Sequence, residues 1–160
     1  MLQLTPPSLE QLMNDALRAH GQGLLKRARS LYKAVLRRRP DHARAQLGMG
    51  LLHANDGKLF NARSYLESAT AGEPENPEAW AILGNVLLEL NIYDKAQAAL
   101  EKARDLAPEN ANALNGLGVA LEMQNKPEKA LALFKQARAL VPEDARIAEN
   151  VARMEAALEI

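Results

Sequence analysis

The sequence predicts an all-α fold of four helix-turn-helix repeats closed by a single further helix. Three observations predict it. Pro40, Pro74, Pro108 and Pro142 recur at a constant step of 34 residues. Ala28, Ala62, Ala96 and Ala130 keep the same step twelve residues before each proline, and Gly50, Gly84 and Gly118 keep it ten residues after the first three. The composition agrees: hydrophobic residues make up 48% and aromatics only 4%, with alanine and leucine suited to close helix packing and few strand formers.

Each element follows from local signals. Pro6-Pro7-Ser8 precedes Leu9-Glu10-Gln11, so Ser8 is placed to cap the first helix and Gln11 to complete a capping box. Four repeats follow, at 9–42, 43–76, 77–110 and 111–144, within a single domain spanning 1–160. Each periodic proline ends the second helix of its repeat, because its ring and missing N–H stop the α conformation. Polar residues after it, as in Pro108-Glu109-Asn110, start the next helix. Small residues at the periodic glycines and alanines let neighbouring helices approach closely, while Leu, Tyr and Phe fill the space between. In the third repeat, Trp80, Leu83, Leu87, Tyr93, Ala96 and Leu100 are expected in one buried cluster. Beyond Pro142 only half a repeat remains. There Ile147, Val151, Met154 and Leu158 fall at helical spacing and predict a capping helix over about 145–158 with one wet face. No helix-stop signal precedes Ile160, as expected of a segment of something longer.

These marked positions resemble the tetratricopeptide repeat family. The third repeat matches almost throughout, at Trp80, Leu83, Gly84, Leu87, Tyr93, Ala96, Leu100, Ala103 and Pro108. The fourth reads Leu114, Leu117, Gly118, Leu121, Ala130, Phe134, Ala137 and Pro142. The second departs at Gln46 and His53, and the first at Asp15, Ala16 and Val35. The resemblance implies a right-handed superhelical solenoid whose first helices line a concave groove holding a peptide or helical segment of a partner protein. The groove positions it implies are Glu10, Met13, Leu17 and His20 in the first repeat, and Arg44, Leu47, Leu51 and Asn55 in the second. The third and fourth add Glu78, Ala81, Asn85, Leu88 and Glu89, then Asn112, Asn115, Val119, Glu122 and Met123. Asn85 and Asn115 would pair with the backbone of an extended peptide. Leu51, Leu88, Val119 and Met123 would take its apolar side chains, and Glu89 and Glu122 would favour a basic residue. The carboxylate clamp that some members use for chaperone C-termini is met at Asn85 and Arg146 but fails at Ala81, Gly116 and Asn150. The reading is thus of an adaptor or scaffold. The alternative is the N-terminal docking domain of a larger enzyme, such as the bacterial transferases that carry similar repeats.

Other function classes find little support. Gly116-Leu117-Gly118 half resembles a dinucleotide fingerprint but lacks the third glycine and a preceding strand. His20, His42 and His53 have neither cysteines nor carboxylates at ligand spacing, so no metal or cofactor is expected. The carboxylates are scattered on outward helical positions, so no catalytic residues are assigned. With no cysteine, no signal-like start and no long apolar run, the cytoplasm is the expected compartment and a membrane is not an expected partner. Net charge is zero but unevenly spread. Residues 1–44 carry nine Lys/Arg against three acids, +6, and the remainder eleven against seventeen, −6. The basic run around Arg37-Arg38-Arg39 has no interleaved aromatics, so nucleic acid is not expected as a partner. The charge asymmetry instead allows weak head-to-tail self-association.

Overall fold

The structure, a computed structural model, describes residues 6–159. Among them are nine α-helices and no strand: α1 (Leu9–Gly21), α2 (Leu25–Arg38), α3 (Ala43–Asn55), α4 (Leu59–Gly72), α5 (Pro77–Glu89), α6 (Tyr93–Leu106), α7 (Ala111–Met123), α8 (Pro127–Leu140) and α9 (Ala145–Ala157). None is long and apolar enough to cross a membrane. The helices form two compact units, Met1–Pro74 and Glu75–Ile160.

The helix ends are set by residues on the same 34-residue step. Every odd-numbered helix has a side-chain cap at its start, from Ser8, His42, Asn76, Asn110 and Asp144 in turn. Ser8 Oγ accepts from the Gln11 N–H at 3.1 Å, and Gln11 Oε1 accepts from the Ser8 N–H at 2.7 Å, completing the expected capping box. Within each helix pair the turn is made at a residue of positive φ: Gly23 (72°), Gly57 (70°), Asn91 (58°) and Asn125 (58°). The N–H of the next residue then reaches back to the carbonyl five residues earlier, as from Leu24 to Ala19 and from Ile92 to Leu87, both at 2.9 Å. The second helix of each pair gives way to an extended residue just before the periodic proline, where proline crowds out the α conformation.

In the first unit, α1 packs on α2, α2 on α3, and α3 on α4. Its core gathers Leu12, Met13, Ala16, Tyr32, Val35, Met49 and Leu52. Tyr32 is fully buried because Gly48 leaves room for its ring, which a Cβ there would strike. Its hydroxyl shares a 3.1 Å hydrogen bond with His20 Nδ1, and burial raises its pKa above the ordinary phenol value. His53 stacks on Tyr65 with ring centroids 5.2 Å apart. The Nδ1 edge of His53 is buried without a hydrogen bond, and its pKa is lowered, first by burial and then by Arg29.

In the second unit, α5 to α9 pack in sequence, and α5 also touches α7 directly. Leu100, Leu114, Leu117, Phe134, Ile147 and Val151 form its core. Gly84 and Gly116 both lie against the Leu100 side chain, and Gly118 against Phe134. Of the residues expected to cluster around the third repeat, Leu83, Leu87, Ala96 and Leu100 are all buried, Leu100 within this core. It is not met at Trp80 and Tyr93, which are half-buried. Trp80 packs against the core from its edge. The Tyr93 hydroxyl donates to Asn91 Oδ1 at 2.8 Å near the surface, which satisfies it without burial.

A candidate docking pocket in the second unit

On α5, Asn85, Leu88 and Glu89 are three and four residues apart and share one face. On α7, Asn112, Asn115 and Val119 do the same. Together with Arg146 on the first turn of α9 they line an open pocket of about 410 Å³. Leu88 and Val119 are half-buried against the core, so the floor is fixed by packing rather than by loops.

The three amides are in different states. Asn115 Oδ1 accepts from Asn150 Nδ2 at 2.8 Å, which orients the Asn115 amide and leaves its NH₂ to donate elsewhere. Asn85 is half-buried yet makes no hydrogen bond among the described residues. Its side chain lies over α7 where Gly116 has no Cβ; one there would stand 2.6 Å from Asn85 Oδ1. Asn112 is exposed. The Arg146 guanidinium is held by the capping carboxylate of its own helix, at 2.9 Å from Asp144 Oδ2. The hydrogen bond from Arg146 holds the Asp144 carboxyl below its ordinary pKa, and Asp144 reciprocally raises that of Arg146.

The sequence-derived docking residues fall into groups. Asn85, Leu88, Asn115 and Val119 meet in this pocket, with Glu89 and Asn112 from the same reading beside them. Met123 is 53% exposed but is not part of the lining. Glu122 is also outside it, and its carboxylate is clasped by Arg153 of α9 through bonds of 3.1 and 2.6 Å, so it is not free to receive a basic ligand side chain. In the first unit Leu17 is exposed and Leu47 and Leu51 are half-buried. Met13 requires a correction: it is 4% exposed and belongs to the core cluster with Ala45 and Met49 of α3, so its side chain is spent on packing rather than offered to a ligand. Arg146 entered the sequence reading only through the incomplete carboxylate clamp. Its position in the second residue of α9, beside a capping Asp, was the available signal.

The class that this fold and register define is the helical-repeat protein. The profile of the tetratricopeptide repeat family matches residues 14–69 and 83–145, with a second profile of the family over 54–101. The chain belongs to the tetratricopeptide repeat family. A search of curated protein sequences finds no match. Among solved structures it is similar to MamA, at 21% identity and TM-score 0.79 over 90% of this chain and 84% of that one. It is similar to YrrB, described as "a TPR protein with an unusual peptide-binding site", at 24% identity and TM-score 0.81 over 95% of this chain and 78% of that one. PilF of Pseudomonas aeruginosa gives 20% identity and TM-score 0.82 over 94% and 69%. At these identities the shared property is the all-α helical-repeat fold.

Proposed function

We propose that this protein is a protein–protein interaction module, and that its second unit docks an extended segment of a partner in the pocket between α5, α7 and α9. The observation that carries the reading is the Asn85 amide: half-buried, unengaged, and beside the Asn115 NH₂ that Asn150 has already aimed. An amide offers a donor and an acceptor at once, the complement of a peptide unit, and two on adjacent helices hold a backbone without dictating sequence. Leu88 and Val119 supply the apolar floor, and Glu89 and Arg146 bring one charge of each sign. A peptide-binding site described for YrrB lends support from a shared fold.

The test is calorimetric titration of a peptide selected from a random library against the wild type and the double variant Asn85→Ala with Asn115→Ala. Binding energy concentrates in few residues, so the double variant should bind about 30-fold more weakly, or worse, with helicity and melting unchanged. Equal affinities would remove the site from this pocket.

A further inference from the structure

The second helix of each pair carries an outward stripe at three positions seven and four residues apart. On α2 these are Lys26, Lys33 and Arg37; sixty-eight residues on, two repeats later, they are Asp94, Glu101 and Asp105 on α6. At 3.6 residues per turn the three fall within about 20° of a common line and span about 16 Å. The same register reads Phe60, Glu67 and Ala71 on α4, and Glu128, Lys135 and Ala139 on α8, so only α2 and α6 have three like charges there. The two stripes are charge-reversed copies of one another.

The three stripe cations of α2 have no ion-pair partner among the described residues. Its sequence, LKRARSLYKAVLRR, holds six basic residues and no acid. Arg29 is taken by Asp56 at 2.8 Å, and Arg38 donates to the Pro7 carbonyl at 2.6 Å. Lys26, Lys33 and Arg37 are exposed and make no ion pair among the described residues. Lys26 and Arg27 also occupy the first turn, where the helix dipole disfavours cations. On α6, Asp94 makes no ion pair among the described residues, and Glu101 receives only the neutral Gln97 amide at 2.8 Å. Asp105 meets only its chain neighbour Arg104 at 3.1 Å, an exposed pairing of the kind that exchanges readily. The cations of α6 lie off the stripe, and Lys102 faces Glu75 at 3.9 Å. Midway along the stripes stand Ser30 and Ala98, both exposed and small enough for two helices to approach closely.

We propose that the α2 stripe is an interaction surface for a second copy of this chain, docking against its α6 stripe. Parallel alignment sets Lys26 opposite Asp94, Lys33 opposite Glu101 and Arg37 opposite Asp105. The contact is independent of the docking pocket, since none of its residues lines it. Three surface ion pairs, with Glu101 the one half-buried member, make a weak, salt-sensitive association, about millimolar or weaker at low ionic strength.

The experiment is sedimentation equilibrium of the full chain up to about 1 mM protein, at low salt and at about 0.5 M salt, where screening shortens the reach of exposed charges. One variant reverses α2 (Lys26→Glu, Lys33→Glu, Arg37→Glu) and another α6 (Asp94→Lys, Glu101→Lys, Asp105→Lys), each checked for wild-type helicity. The wild type should self-associate at low salt and lose this at high salt, and each variant alone should associate about tenfold more weakly or not at all. An equimolar mixture of the two should regain association, because reversed α2 then meets reversed α6. A wild type that stays monomeric at low salt overturns the proposal, as does association that the reversals leave intact or that the mixture fails to restore. The mixture guards against misfolding, since misfolded variants would not complement each other.

Discussion

At the turn within each helix pair the first unit places Gly23 and Gly57, the second Asn91 and Asn125, all at positive φ. At the core-filling position of the second helices, on the same 34-residue step, the first unit uses Tyr32 and Leu66, the second Leu100 and Phe134; Tyr32 lies under Gly48 and the others under the periodic glycines. One register is thus satisfied by different chemistry, and the difference shows which demands are geometric. The turn needs a left-handed backbone, met by a residue without Cβ or by one whose short amide tolerates it. The core needs a filled volume, but a polar filler such as Tyr32 brings its own requirement, met here by His20.

The largest effect that separates the units should come from overpacking. Gly48→Ala drives a methyl into the Tyr32 ring, a planar body pinned at its hydroxyl, and should destabilise by about 3 kcal/mol. Gly84→Ala meets the Leu100 side chain, which can change rotamer, and should cost about 2 kcal/mol. Urea denaturation of both variants checks the order; the reverse order would mean that the tyrosine is not rigidly held. Trp80→Ala comes next. Because Trp80 covers the core from its edge, about 2 kcal/mol is expected rather than the larger loss of a fully enclosed ring. An unchanged melting temperature would show that it contributes no packing.

The turns should give smaller effects. Gly57→Ala forces a Cβ into a left-handed conformation and should cost about 1 kcal/mol, while Asn125→Gly should be neutral or stabilise by a few tenths. Smallest is a pH effect confined to the first unit. His53 has a lowered pKa, so between its folded and unfolded values the unfolded chain binds more protons. Its contribution is therefore fully present above about pH 6.5, the ordinary imidazole value, and is lost as pH falls through the lower folded value. His53→Leu, which installs the residue that the second unit has at Leu87 and Leu121, should flatten the dependence of melting temperature on pH between about 7 and 5.

Much of the fold was legible because proline and glycine carry their conformational rules in any context. The prolines mark where second helices end, and Gly84 and Gly118 mark close approach, whatever surrounds them. Asn91 and Asn125 were less legible, since an asparagine on the surface is equally at home solvated, capping or left-handed. The pocket was legible at Asn85, Leu88, Asn115 and Val119, whose helical spacing fixes a shared face. Met13 and Glu122 were not, for the same physical reason. A register position says which way a Cβ points, but not whether a long side chain is taken up by the core, as at Met13, or a distant Arg153 claims its charge, as at Glu122.

Side-chain amide NMR tests most directly whether the unengaged Asn85 amide takes a peptide backbone, as proposed. With ¹⁵N-labelled protein titrated with the library-selected peptide, the NH₂ resonances of Asn85 and Asn115 should shift most, saturating together with the backbone amides of α5 and α7. Unmoved Asn85 and Asn115 side-chain signals at saturation, with shifts confined to residues of the first unit, would contradict the account.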